Sequence, residues 1–150
     1  MNGVPRPALL LGLAGVLPFC WGVLTMQFDA LSHFTLVYAG SRFVGPFVQL
    51  FYGAVILSFM SGVLWGYSTN LKGKSAVVGY SLSVLPALWA FFSASGSPEQ
   101  TGQNLIFGFF GLLAIDWYFW SRGFAPNWWM KLRLLLTFLV TSLLAVGVYL

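Results

Sequence analysis

Long apolar stretches alternate with short polar ones along the chain, and this pattern predicts the fold. Five stretches are long enough for membrane-spanning helices, because a hydrocarbon core about 30 Å thick takes roughly 20 helical residues to cross. They cover residues 8–26, 47–67, 76–94, 104–121 and 128–150. They are continuously apolar rather than alternating with a period of two, which argues against a membrane barrel. We therefore predict an all-α membrane protein, with one five-helix transmembrane domain over residues 1–150.

The connection between the first two spans, residues 27–46, is too apolar for a loop in water. We predict a short helix at about residues 30–39, lying in the membrane interface. Asp29 is expected to cap its N-terminus, and Gly40 to end it. Leu31, Phe34 and Tyr38 would share one of its faces. Residues 95–103 alone have ordinary polar loop composition, and we expect them to be a loop.

Composition excludes a soluble domain. Hydrophobic residues make up 59% of the chain and charged residues only 7%, whereas a soluble domain has about 25% charged residues. The first apolar stretch follows Arg6 as a signal peptide would. It lacks a small-x-small cleavage site and continues to Met26, so we expect a retained first span.

The basic residues predict an orientation. With five spans, all of the 7 Lys and Arg residues except Arg42 fall on the side of the N-terminus. These are Arg6, Lys72, Lys74, Arg122, Lys131 and Arg133. By the positive-inside rule, the N-terminus is expected on the cytoplasmic or matrix side and the C-terminus outside. The same rule explains the net charge of +4 without a nucleic-acid partner.

The second predicted span carries a stripe of small residues. Ala54, Ser58, Gly62 and Gly66 recur at every fourth position, so they follow one face of the helix. Membrane helices pack closely over such stripes. We expect this stripe to seat a neighbouring helix of the same chain; contact with another subunit is the alternative. Pro18 and Pro86 lie within the first and third spans, where they should kink the helix.

Asp116 lies inside the fourth predicted span. A carboxylate at the bilayer centre costs roughly 2.5–3.5 kcal/mol on insertion scales, so a partner should compensate it. Arg133 and Lys131 lie at similar depth on the fifth span, and Arg6 is a further candidate. We interpret Asp116 as half of a structural ion pair. The functional alternative is a proton or cation site.

No constellation of catalytic or metal-binding residues is evident. The chain has 1 His and 1 Cys, which excludes a bis-histidine haem and an intramolecular disulfide. With so few soft ligands and only 3 acidic residues, a protein-built metal site is not expected. The serines have no evident general base nearby in the sequence. We therefore predict a non-enzymatic protein with no cofactor.

Several short sequence segments occur together in a characteristic order. Leu11-Gly12-Leu13-Ala14-Gly15 leads to Pro18-Phe19, and Ser83-Val84-Leu85-Pro86 precedes Leu88-Trp89. The most specific stretch runs from Tyr52 to Gly66, and Leu132-Arg133-Leu134 opens the last span. In this order they resemble the transmembrane-protein-69-like family of small bacterial and mitochondrial membrane proteins. The resemblance implies five helices and an inner-membrane location, and no activity.

Two functional hypotheses remain. The first is an accessory or assembly subunit of a larger inner-membrane complex, respiratory or photosynthetic, with membrane lipids and other subunits as partners. The membrane would be the bacterial inner membrane or the mitochondrial inner membrane. The second is a small transporter, or a lipid- or quinone-binding protein. Its site would lie between the kinked first and third spans and the fourth, with Asp116 as its polar end.

Overall fold

A computed structural model describes residues 3–149 of the chain, and all of the regular secondary structure in this range is helical. The helices are α1 (Arg6–Ala14), α2 (Leu17–Gln27), α3 (Asp29–Tyr38), α4 (Phe47–Ser68), α5 (Gly73–Ser93), α6 (Pro98–Ser121) and α7 (Trp129–Tyr149), with a short 3-10 turn at Ser41–Phe43. Within the described range, 5 helical stretches are long and apolar enough to span a membrane: Arg6–Gln27 and α4 to α7. The predicted fold class is therefore confirmed. Residue 150, the last of the predicted fifth span, lies outside the described residues.

The first span is two helices rather than one kinked helix. Helix α1 ends at Ala14, and α2 begins at Leu17 after a short turn. Pro18 therefore lies in the first turn of α2, where its missing N–H has no intrahelical partner to lose. Both halves contact α7, and α2 also packs against α4.

Helix α4 is the centre of the bundle and contacts α2, α5 and α6. Its buried face repeats at helical spacing through Gly53, Leu57, Met60 and Leu64. The core around it is made mainly of large apolar side chains that are almost fully buried: Phe19, Leu57, Leu64, Leu105, Phe109, Leu112, Phe119 and Leu144. Phe19 meets Phe109 edge to face at a centroid distance of 6.4 Å. These aromatic contacts join the first and fourth spans.

Helix α5 continues through Pro86. A proline inside a helix lacks one N–H and its ring pushes the preceding turn apart. The neighbouring amide of Ala87 donates a hydrogen bond of 2.8 Å to Oγ of Ser61 on α4. A side chain of the second span thus satisfies a backbone donor beside the proline, as hydrocarbon surroundings require.

The fourth span begins earlier than predicted. Residues 98–103 are helical, not part of a polar loop, since α6 starts at Pro98. Ser97 caps it by accepting a hydrogen bond of 3.2 Å from the amide of Gln100, and Pro98 and Glu99 occupy the first turn. These residues are typical of a helix start. The loop predicted over residues 95–103 is therefore wrong from Pro98 onward, because polar residues can also form the first turn of a helix.

The short helix in the first connection is present as α3, but it starts differently from the prediction. Asp29 is its first helical residue, Phe28 occupies the cap position, and no side chain caps the helix. The predicted cap at Asp29 is therefore wrong, because Asp29 is the first residue inside the helix and the cap position is the residue before it. Gly40 does follow the end, with a φ of 93° that favours glycine. Phe34 and Tyr38 share a face, with ring centroids 4.7 Å apart.

Candidate functional site

Asp116 on α6 is completely buried and lies against two donors from α7. Nε of Arg133 is 2.6 Å from Oδ2 of Asp116. The indole Nε1 of Trp129 donates to Oδ1 across 2.9 Å. Trp129 and Arg133 are adjacent on one face of α7, because residues at i and i+4 lie one above the other. Both carboxylate oxygens therefore have a donor.

The arrangement joins the fourth and fifth spans through a buried ion pair. Arg133 is only 4% exposed, so the opposite charges compensate each other where water cannot. Among the candidate partners of Asp116, Arg133 is the one whose side chain reaches the carboxylate through a charge-assisted bond. Arg6 and Lys131 are exposed. Trp129 was not predicted, although its position one turn before Arg133 and its indole N–H were visible in the sequence.

The small-residue stripe on α4 does not seat a neighbouring helix of this chain. Ser58, Gly62 and Gly66 are exposed, and Ala54 is only partly buried. A Cβ added at Gly62 or Gly66 would meet no described atom within 4 Å. The expected packing within the chain is therefore wrong. Helix α4 instead buries a different face, and turns the stripe outward.

Large side chains stand beside the stripe. Phe59 is 65% exposed on one side of it, and Trp65 is 50% exposed. The Trp65 ring contacts Tyr80 of α5 with centroids 4.6 Å apart and the ring planes tilted by 56°. The hydroxyl of Ser58 donates to the carbonyl of Ala54, 2.9 Å away. The outer face of α4 thus carries small residues beside large exposed apolar ones, and its own hydroxyl is satisfied.

Gln49, near the start of α4, is a buried polar residue that sequence reasoning missed. It is 1% exposed, and its Nε2 donates to the carbonyls of Phe19 on α2 (2.9 Å) and Leu143 on α7 (3.1 Å). Two glycines make room for it: a Cβ at Gly22 or Gly147 would overlap the Gln49 side chain. The sequence signal that could have identified Gln49 is a side-chain amide within an apolar stretch. Gln49 links three spans at the opposite end of the bundle from Asp116.

A cavity of about 550 Å³ lies between the first, second and fifth spans. Helix α1 supplies Gly12 and the turn after it supplies Gly15, while α4 supplies residues between Tyr52 and Val63 and α7 supplies residues between Trp129 and Val140. Its wall is largely apolar, and its polar side chains include Tyr52, Arg133 and Thr137. The cavity lies beside the break in the first span, where α1 diverges from the packing of α2. Its size is within the range of ligand sites in proteins, roughly 300–1,000 Å³.

Two of the residues around the cavity have a buried polar atom without a hydrogen-bond partner in the described part of the chain. Nη2 of Arg133 and Oγ1 of Thr137 are buried and have no hydrogen-bond partner within residues 3–149. They lie one turn apart on α7, and Thr137 is 3% exposed. Buried polar groups in native proteins usually have a partner, so each such exception calls for an explanation.

The predicted ligand site differs from this cavity. It was expected between the first, third and fourth spans, with Asp116 at its polar end. In the described structure the third span, α5, contributes no residue to the cavity wall, and Asp116 lies behind Arg133 rather than in the wall. The fourth span does contribute Phe109 to the wall, together with residues of the first, second and fifth spans.

Comparison with known proteins identifies the family. A family model described as "Protein of unknown function (DUF3429)" matches residues 4–149, which is all but a few residues of the chain. The chain belongs to the DUF3429 family. The match covers both the Asp116–Arg133 pair and the outward face of α4, so these features lie within the DUF3429 region.

Two curated relatives confirm the resemblance to transmembrane protein 69. "Transmembrane protein 69" of Xenopus tropicalis is 31% identical over 157 residues, covering 99% of this chain and 58% of the relative. "Transmembrane protein 69" of Mus musculus is 28% identical over 136 residues, covering 89% of this chain and 51% of the relative. The chain thus spans about half the length of these relatives. No solved structure matches the chain.

Proposed function

We propose that this DUF3429 protein is a non-enzymatic subunit of a larger inner-membrane complex, in which it has an accessory or assembly role. The observation that carries the proposal is the outward face of α4. Gly62 and Gly66 lie there without a neighbour among the described residues, although such spacing favours close contact between membrane helices.

The proposal depends on how helices associate in a membrane. Lipid tails are as apolar as leucine, so helices in a membrane associate through close packing rather than through the hydrophobic effect. Glycines let two backbones approach and exchange many weak contacts. The bulky Phe59 and Trp65 beside the stripe would restrict where a partner helix can lie. The bundle itself is closed by the Asp116–Arg133 pair and Gln49, so this face is free for a partner.

The location proposed for the protein is an inner membrane, bacterial or mitochondrial. The relatives named transmembrane protein 69 support a multi-pass membrane protein. The distribution of basic residues supports an N-terminus on the cytoplasmic or matrix side. Fusion of a reporter that is active on one side only to each terminus would test that orientation.

Extraction of native membranes in a mild detergent tests the subunit proposal. We expect the wild-type chain to migrate on native gels well above monomer size, together with other membrane proteins identified by mass spectrometry. Gly62→Leu and Gly66→Leu should release the monomer, because the added side chain keeps helices apart. Gly111→Leu is the matched control, since Gly111 on α6 is equally open, with no described atom within 4 Å of an added Cβ. A wild-type chain found only as a monomer would contradict the proposal.

A second candidate function is the binding of a membrane-soluble amphiphile, and the cavity favours it. Transport of protons or cations through Asp116 has no comparable support, because both of its carboxylate oxygens are engaged by Arg133 and Trp129. Binding to a single site is therefore the form of this second candidate that the geometry favours.

A further inference from the structure

We propose that a groove between the first and second spans holds one acyl chain of an anionic phospholipid, whose phosphate pairs with Arg42 at the end of the bundle opposite to the N-terminus. The inference goes beyond the subunit proposal, because it concerns a different face of α4. Of the described residues that line the groove, none belongs to the small-residue stripe.

The groove follows one row of side chains on each of two helices and has a volume of about 750 Å³. The residues of α2 are Leu17, Pro18, Cys20, Trp21 and Leu24, and those of α4 are Val48, Phe51, Tyr52 and Val55. In both rows the spacing is three and four residues, which places each row along one face of its helix. Most of these side chains are aliphatic or aromatic, and Leu17, Phe51 and Val55 are at least half exposed. The groove therefore offers an apolar channel parallel to the helices, the direction in which acyl chains run.

The length of the groove matches one leaflet of a membrane. Its first and last residues on each helix are seven positions apart, which is about 10 Å of helix. Half of a hydrocarbon core about 30 Å thick is about 15 Å. Leu17 and Val55 lie near the middle of their spans, Arg6–Gln27 and Phe47–Ser68, and the other end of the groove reaches Arg42 and Phe43 before α4. A chain from a single leaflet fits this length, whereas a helix crossing the whole membrane would use only half of itself.

Arg42 lies where the groove reaches the end of the spans, and it determines the headgroup. It is the one charged side chain among the described residues of the wall, and no carboxylate within residues 3–149 forms an ion pair with it. Its guanidinium lies 5.0 Å from the ring centroid of Phe51, a cation–π contact that uses none of its five N–H donors. Those donors remain available to an oxyanion, and a guanidinium can bind phosphate through two parallel bonds.

The position of Arg42 favours a lipid with a net negative charge. All of the 7 basic residues except Arg42 fall at the N-terminal end of the bundle, so Arg42 departs from the usual segregation of basic residues. The phosphate of phosphatidylcholine already has a choline cation beside it, whereas that of phosphatidylglycerol has none. Arg42 therefore gains more from the anionic lipid. One basic residue near an anionic surface favours binding about fivefold.

Photo-labelling by lipids tests the proposal on the purified full chain in phosphatidylcholine nanodiscs. The probes are phosphatidylglycerol and phosphatidylcholine that carry the same diazirine-modified acyl chain, added in separate samples at equal mole fraction. Mass spectrometry locates the labelled residues. We expect the phosphatidylglycerol probe to label residues 17–24 and 48–55 about fivefold more than the phosphatidylcholine probe does.

Arg42→Gln should remove this preference, so that both probes label the groove equally. Arg42 is exposed, so its replacement should leave the melting temperature unchanged. Arg122→Gln is the matched control, because Arg122 is also an exposed arginine over an aromatic ring, 5.5 Å from the centroid of Tyr118. It follows α6 at the other end of the bundle, and its replacement should leave the labelling of the groove as it is.

A second variant tests the apolar part of the groove. Val55→Trp adds a large side chain at its inner end and should reduce labelling of the groove by both probes. Val77→Trp on α5 is the control, at a side chain that is 67% exposed, and it should leave that labelling unchanged.

Three results would overturn the proposal. One is equal labelling of the groove by the two probes in the wild type. Another is a preference for phosphatidylglycerol that survives Arg42→Gln in a protein that melts like the wild type. The last is labelling spread evenly over all five spans. None of these results bears on the native-gel experiment, so the subunit proposal depends on its own test.

Discussion

Replacing Asp116 by asparagine removes one charge of the buried pair and leaves its shape nearly unchanged. Asp116 is 0% exposed and the side chain of Arg133 is 5% exposed, so the remaining guanidinium charge would have no compensating charge there. Breaking a buried pair in this way costs about 3–5 kcal/mol. The lost hydrogen bonding is smaller, since such bonds between membrane helices average about 0.6 kcal/mol. We therefore expect Asp116→Asn to reduce the free energy of unfolding by about 3–5 kcal/mol, mainly through the uncompensated charge.

Titration with sodium dodecyl sulfate in mixed micelles, followed by tryptophan fluorescence, measures that free energy. The control is Glu99→Gln at the exposed start of α6, expected to change it by no more than about 0.5 kcal/mol. Adding Arg133→Met to Asp116→Asn should recover stability, because it removes the unpaired charge; a coupling of about 0.5–3 kcal/mol is expected for residues in contact. If Asp116→Asn were as stable as the control, or if Arg133→Met brought no recovery, the account of the pair would be refuted.

Three further predictions concern packing and capping. Gly147→Ala should destabilise the protein by about 1–3 kcal/mol, because its Cβ would overlap the Gln49 side chain, whereas Gly111→Ala, in open space, should not; detergent unfolding compares the two. Gln49→Leu removes two hydrogen bonds to backbone carbonyls and should cost about 1 kcal/mol in the same assay. Ser97→Ala removes the cap on the Gln100 amide and should cost about 1 kcal/mol, with faster hydrogen exchange confined to the first turn of α6. An unchanged exchange rate there would argue against the cap.

The number and approximate limits of the spans could be predicted because they depend on a one-dimensional property, the length of apolar sequence. The start of α6 was missed because its first turn is polar, although Ser97, Pro98 and Glu99 carried the local signal of a helix start. The break in the first span was also missed. Pro18 indicated a kink, but the helix is interrupted between Ala14 and Leu17, so that the proline starts a new helix instead of bending a continuous one.

The site was predictable only where a residue type was itself unusual for a membrane span. A carboxylate in hydrocarbon needs a partner, so Asp116 and Arg133 could be singled out from depth and charge. The direction of the small stripe could not be predicted, because a GxxxG spacing fits an internal neighbour as well as an external one. The cavity was placed beside the wrong helix for a similar reason, since its position depends on how α1 leans relative to α4 and α7.

The proposed contact between the outer face of α4 and another protein is tested most directly by site-specific photo-crosslinking in native membranes. A benzophenone amino acid in place of Phe59, which lies beside the stripe and is 65% exposed, should give a discrete crosslinked product containing a second membrane protein, identified by mass spectrometry. The same probe in place of Phe107, 67% exposed on α6, should give little or none. Crosslinks to lipid alone at Phe59, or the same products from both positions, would contradict the account.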